Sequence, residues 1–182
     1  MQVNLIKLTT MNIRRVKPED GQLLREIAIR MYRDSPDAFS ETLAEAKKRT
    51  AEEWDSRAKW LADSPDVIGL VAYEDNRPCG FVMGLVGRFI NGSMDWQCRD
   101  SVTIAKTWVD PEVRRKGIAT TLTDTVKDWA IEKGVKLLEL QVTENNEAAK
   151  DFYKRLGFTD TGRREPLVSN PQLQIYFLEI EL

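Results

Sequence analysis

Val109-Asp110-Pro111-Glu112-Val113-Arg114-Arg115-Lys116-Gly117-Ile118-Ala119-Thr120 is the stretch on which the reading of this chain turns. An apolar, strand-like run over residues 102–109 feeds an Asp-Pro turn. A basic loop with one glycine follows, and an amphipathic helix begins inside it. A strand-to-helix junction of this kind points several unpaired backbone N–H groups at one place, backed by the positive end of the helix dipole. Gly117 and Ala119 keep side chains out of the way, and Arg114, Arg115 and Lys116 add positive charge. Such a loop suits the diphosphate of a nucleotide cofactor.

The loop carries neither the G-x-x-x-x-G-K-[ST] pattern of a P-loop nor the G-x-G-x-x-G dinucleotide fingerprint, which is absent from the whole chain. It reads as Arg114-x-x-Gly117-x-Ala119. Downstream lies Asn146-Glu147-Ala148-Ala149-Lys150-Asp151-Phe152-Tyr153-Lys154-Arg155-Leu156-Gly157-Phe158. There Ala148, Phe152 and Leu156 recur every four residues, which predicts one buried helix stripe with Tyr153 a residue to its side. Gly157 supplies the helix stop and Phe158 starts the next strand.

The two blocks resemble the R/Q-x-x-G-x-G/A acetyl-CoA motif and the N-x-x-A-x-x-(L/F)-Y-x-x-x-G-F block of the GCN5-related N-acetyltransferase (GNAT) superfamily, in the family's order. The resemblance is strong over residues 102–158 and architectural elsewhere. It implies the acyl-CoA N-acyltransferase fold, an α/β domain whose central, mixed, mostly antiparallel sheet is flanked by helices. Strands 101–109 and 136–142 are then expected to splay apart and admit the pantetheine arm. It further implies acetyl-CoA as co-substrate, held by Val109, Arg114, Arg115, Lys116, Gly117, Ile118, Ala119, Thr120 and Asn146. Tyr153 is the implied general acid that protonates the departing CoA thiolate. Read without the family, Asn146 is a helix N-cap and Tyr153 a half-buried helix tyrosine.

Composition agrees. A chain of 182 residues with 42% hydrophobic and 31% charged residues is an ordinary globule of one-domain size. Its net charge of −2 argues against nucleic acid as a partner. The apolar runs are too short to span a bilayer, and no signal-peptide core begins the sequence, so a cytoplasmic protein is expected. Residues 1–10 read as an N-terminal extension, Met11 as an alternative start, and residues 11–182 as a single N-acetyltransferase domain.

The chain has no histidine, which removes histidine-dependent triads and histidine metal sites. Cys79 and Cys98 are too few and too far apart for structural zinc, so no metal is expected. No acid falls between Ser101 and Val109. The candidates for a base are therefore Asp95, Asp100, Glu41 and Glu139, each read as a solvated surface charge, with water an equal alternative. Trp54, Trp60, Trp96 and Phe39 lie in segments that would flank an acceptor cleft.

Periodicity places a strand at 11–16, helices at 19–31, 40–49 and from Thr50 (a capping box with Glu53), and a hairpin of 67–73 with 80–89. A polar loop begins at Asn91. After the two motif helices, 163–171 reads as a polar connection and 172–182 as a long final strand, expected antiparallel because a hairpin loop precedes it. The expected reaction is direct transfer of acetyl from acetyl-CoA to a primary amine of a small molecule or peptide, by a monomer or homodimer. The competing reading is a non-catalytic acyl-CoA-binding regulatory or scaffold module.

Overall fold

Helical stripes and apolar strands sort the hydrophobic residues onto the two faces of one sheet. The computed structural model describes residues 11–90 and 93–182. The extension at residues 1–10 and the loop start at Asn91 lie outside the described residues. Seven strands form the sheet: β1 (Met11–Arg15), β2 (Val67–Glu74), β3 (Arg77–Val86), β6 (Ser101–Val109), β7 (Leu137–Thr143), β9 (Asn170–Glu181) and β8 (Thr159–Leu167), in that spatial order. Every neighbouring pair is antiparallel except β6 with β7. This is the mixed, mostly antiparallel sheet implied by the two motifs. A separate two-stranded ribbon joins β4 (Arg88–Ile90) to β5 (Ser93–Asp95).

One face carries α1 (Gly21–Asp34), α2 (Leu43–Lys48) and α3 (Ala51–Asp63). Helix α1 buries Leu24, Ile27, Ala28, Met31 and Tyr32, and α3 buries Trp54, Ala58 and Leu61, at the spacing of one helical stripe. These pack on Val71, Phe81, Met83 and Trp108. The other face carries α4 (Ile118–Glu132), whose Ile118, Leu122, Val126 and Trp129 cover Val82, Val102, Leu138 and Leu140. Strands β2 and β3 are consequently buried on both faces and read as continuous apolar runs.

Several boundaries differ from the sequence reading, each for a local reason. The β2–β3 hairpin turns on two residues, Asp75 and Asn76, both with positive φ, so β3 begins at Arg77 despite Pro78. It ends at Val86 because Gly87, with φ of 136°, turns the chain into the β4–β5 ribbon. The helix expected over 40–49 shortens to Leu43–Lys48, entered through a Thr42–Glu45 capping box. The polar tract after Arg163 is strand, since β8 runs to Leu167 and turns directly into β9. An edge strand with one solvated face tolerates that polar sequence.

The stripe predicted for α5 (Glu147–Arg155) is also corrected. Tyr153 is the buried residue of that helix, Ala148 is exposed, and Phe152 and Leu156 are half-buried. The face that packs on the core is Ala149, Phe152, Tyr153 and Leu156, an i, i+3, i+4, i+7 stripe, so the observed face takes in Ala149 and Tyr153 in place of Ala148.

Helix α4 lies close to the sheet because β3 places glycine beneath it. A Cβ at Gly84 would stand 2.8 Å from Val126 Cγ1 and 2.9 Å from Ile68 Cγ2. Gly84→Ala is therefore expected to lower stability by ~1–3 kcal/mol through overpacking. Urea unfolding checks this; an unchanged midpoint would mean that α4 is not held against β3.

Candidate functional site

The site is built where β6 and β7 part. Their parallel pairing runs from Ser101 with Leu137 to Ile104 with Leu140 and goes no further, although both strands continue. The cause lies on the other edge of β6. Met83 pairs with Ala105 and Phe81 with Trp108, so Lys106 and Thr107 together oppose Val82. Lys106 has φ of 55°. This is a β-bulge, which adds twist and swings the end of β6 away from β7. The splayed strands expected from the motif resemblance are thus present.

The backbone of β6 beyond the bulge faces the gap. Asp110 N donates to Cys79 O of β3 at 2.8 Å, so by the alternation of an antiparallel ladder the N–H of Val109 points the other way, into the split. Val109 O, on the same side, accepts from Arg114 Nε at 2.9 Å. On β7, beyond its last bond to β6, Gln141 Nε2 and Thr143 Oγ1 are buried with no partner among the described residues.

After β6 a 3-10 turn (Pro111–Val113), capped by the Asp110 side chain, leads into the basic loop. Arg115 has φ of 65° and Gly117 φ of 82°. Two left-handed residues separated by one residue of negative φ, running into the first turn of α4, turn their amides toward one side and form a candidate anion nest. The first bond back into α4 runs from Thr121 N to Gly117 O. The amides of Ile118, Ala119 and Thr120 precede it and have no helical partner. A Cβ on Gly117 would meet nothing within 4 Å, so the space over the nest is open.

The three cations of the loop differ. Arg114 is held by Val109 O and ion-paired with Asp34 of α1, and Lys116 is paired with Glu74 at 2.7 Å. Among the described residues only Arg115 of the three lacks an ion pair. Asn146 caps α5, its Oδ1 accepting from Ala149 N at 3.1 Å.

Tyr153 packs edge-on against Phe158 at 5.4 Å and Phe152 at 4.9 Å. Burial pushes its phenol up to about 12, and its hydroxyl shares a hydrogen bond with Thr107 on the bulge. The structure thus brings Tyr153, the bulge and the Val109 N–H to one split in the sheet.

Two of the four acids proposed as bases, Glu139 and Glu41, are placed differently from the sequence reading. Glu139 is fully buried, clamped by Arg88 Nε at 2.9 Å and Phe89 N at 3.3 Å. Glu41 is largely withdrawn from water, bonded by Tyr32 OH at 2.7 Å, Lys106 Nζ at 2.7 Å and Arg49. Those cations hold its carboxyl down at about 2, despite an opposing push from burial. Neither is a solvated charge. Asp95, the last residue of β5, accepts from Gln97 N, and Asp100, exposed in the segment after the ribbon, accepts from Cys98 Sγ. Of the aromatic residues read as flanking the cleft, Trp54 is buried, Phe39 packs edge-on against Tyr32, and Trp60 and Trp96 are exposed.

The cluster of Lys106, Tyr32, Glu41, Arg49 and Arg57 was not anticipated from the sequence. Its one signal was a lone lysine inside the apolar run Ser101–Val109. Burial pushes the Lys106 amine down to about 8, with Glu41 opposing.

A diphosphate-sized amide nest beside a split, mixed sheet defines a CoA-type acyltransferase domain. The model of the acetyltransferase (GNAT) family matches residues 25–158, and the chain belongs to that family. It is 31% identical over 157 residues to an uncharacterised N-acetyltransferase of Methanocaldococcus jannaschii, covering 86% of this chain and 63% of the relative. It is 30% identical over 154 residues to the peptidyl-lysine N-acetyltransferase YjaB of Salmonella typhimurium, covering 85% and 87%. Among solved structures, yncA of Salmonella typhimurium, with its cofactor acetyl-CoA, superposes with a TM-score of 0.73 at 20% identity, covering 95% of this chain and 94% of that one.

Glu41 separates three cations, and Glu41→Gln removes the only anion of that group. The expected loss at pH 7 is about 3 kcal/mol, the low end for breaking a buried ion pair. The folded pKa lies below the unfolded value, so this contribution is complete above about 4.5 and fades as pH falls toward about 2. Denaturant titrations of both proteins at pH 7 and pH 3.5 should show the gap narrowing; a gap independent of pH would refute the pairing.

Proposed function

We propose that this protein transfers the acetyl group of acetyl-CoA directly to a primary amine of a small molecule or peptide. The observation that carries the reading is the convergence of Tyr153, the Val109 N–H and the amide nest on the one split in the sheet. The diphosphate lies on the amides of residues 115–120, with Arg115 as the free cation, and the pantetheine arm enters between β6 and β7. Gln141 and Thr143 offer it polar groups that lack partners. Asn146 works here mainly as the cap of α5, which sets where Tyr153 stands.

The amine attacks the thioester carbonyl and the oxygen gains charge beside the Val109 N–H, which stabilises it. The tetrahedral intermediate collapses with cleavage of the C–S bond, giving the amide and CoA. A phenol near 12 stays protonated at all physiological pH, so its O–H is always present. It is a weaker acid than a thiol at roughly 8.5, so its proton moves toward sulfur as the bond breaks rather than afterwards. The amine's own proton leaves through water, because Glu41, held near 2 among cations, is a poor base. A non-catalytic CoA-binding module would have no use for a buried tyrosine hydroxyl at the split.

The acceptor class has support from the peptidyl-lysine N-acetyltransferase named above, which matches over most of both chains. No helix among the described residues is long and apolar enough to cross a membrane. We place the protein in the cytoplasm, as residues 11–182 forming one N-acetyltransferase domain behind an extension at 1–10.

Tyr153→Phe is expected to lower kcat roughly 10²-fold with little change in the KM for acetyl-CoA, because the ring and its packing remain. Wild-type turnover in this variant, measured by thiol release with a good amine, would remove Tyr153 from the mechanism.

Gly117→Asp adds a carboxylate over the nest at a φ that aspartate tolerates better than most residues. CoA affinity, read by calorimetry, should fall tenfold or more, about 1.4 kcal/mol, beside a small loss of stability from a side chain at positive φ. Unaltered affinity would place the diphosphate elsewhere.

A further inference from the structure

Next to the bulge, on the α1–α3 side of the sheet, lies a second polar site that the transfer chemistry leaves unused. Leu24, Met31, Met83 and Trp54 wall a pocket into which Lys106 and Arg57 reach. Arg49 stands at its edge, with its guanidinium 5.2 Å from the centre of the Trp54 ring. Three cations, Lys106, Arg49 and Arg57, share a single carboxylate, Glu41. The cluster therefore carries a surplus of two positive charges, inside a chain whose net charge is −2.

Its hydrogen-bond balance is as uneven as its charge. Arg57 approaches Glu41 only to 3.6 Å, beyond a hydrogen bond, and has no other ion pair among the described residues. Trp54 Nε1 and Arg49 Nε are buried donors without an acceptor among the described residues, and Trp54 is 3% exposed. Buried donors are normally paired, and unpaired ones cost about 1–3 kcal/mol each. Glu52 and Glu53 lie in the adjoining shallow groove but are turned back to the first turn of α3 through Thr50. What this pocket lacks is a second anionic acceptor with two oxygens.

We propose that the pocket receives a carboxylate of the amine acceptor, with Arg57 as the main recognition residue and Trp54 Nε1 and Arg49 Nε as supporting donors. A guanidinium fork matches the two oxygens of a carboxylate. Position supports the assignment. Lys106 is the residue before Thr107, so the cationic pocket and the Tyr153 hydroxyl flank the same two residues of β6. The two lie on opposite faces of the sheet at adjacent residues, so a molecule bearing both a carboxylate and an amine would join them by way of the split between β6 and β7. The inference rests on the acetyltransferase reading for the identity of the occupant, but the carboxylate site can be measured without turnover.

The experiment is calorimetric titration of the protein, saturated with CoA, with Nα-acetyl-lysine and with Nα-acetyl-lysinamide, which differ only in the carboxylate. The carboxylate form should bind roughly tenfold or more tightly, the scale of one charge-assisted hydrogen bond. Arg57→Gln should remove that preference, and Arg57→Lys should retain part of it through the charge alone. Equal binding of the two probes, or absence of binding by both, overturns the proposal. So does a preference that survives Arg57→Gln. Failure to release thiol with any amine would instead overturn the acetyltransferase reading, and the two results are read from different measurements.

Discussion

The two residues of β6 that stand opposite Val82 set the geometry of everything around the site. A lysine at φ of 55° is uncomfortable for an L-residue, at a cost on the order of 1–2 kcal/mol. The surrounding structure must over-determine such a conformation. It does so through the lysine's own side chain, whose ammonium is bonded by Glu41 and Tyr32. Without the bulge β6 would continue in register beside β7, and the ladder of bonds between them would close the gap. Because it is there, the Val109 amide is left free and Thr107 can meet Tyr153.

The position of the loop follows from ion pairs at the end of β6. Asp110 is drawn by Arg30 and Arg77, and Asp34 takes both Trp108 Nε1 and Arg114. These tie the strand's end to α1 on one face while α4 starts on the other. Two of the three loop cations are already committed within the protein, so the attraction of this loop for an anion depends chiefly on oriented backbone amides and the helix dipole, which no side-chain motion can withdraw.

The sequence made the phosphate loop, the helix that follows it and the order of strands legible because each rests on local rules: turn residues, caps and apolar periodicity. Residues 163–171 misled because an edge strand can be polar on its solvated side. The α5 stripe misled because a strict four-residue repeat overruns the 3.6-residue turn, so the core contact of the first turn falls to Ala149 instead of Ala148 and Tyr153 lies within the face. Glu41 and Glu139 looked solvated because no local signal shows that Lys106 and Arg88, 65 and 51 positions away, come to meet them. Such pairing is a property of topology. A single lysine in a strand otherwise buried on both faces was the one visible sign that a charge waited for it.

The bulge also divides the chemistry between the two faces of the sheet. Thr107 turns to α5 and the apolar cluster around Tyr153, where low polarity keeps the phenol neutral. Lys106 turns to α1 and α3, where cations outnumber anions. On the proposed reading, one face offers a neutral phenol as proton donor to sulfur and the other holds a charged part of a second molecule. The two groups are carried by adjacent residues of one strand, so their separation is fixed by backbone geometry. A shift of register at this point would move them together and leave neither facing its partner.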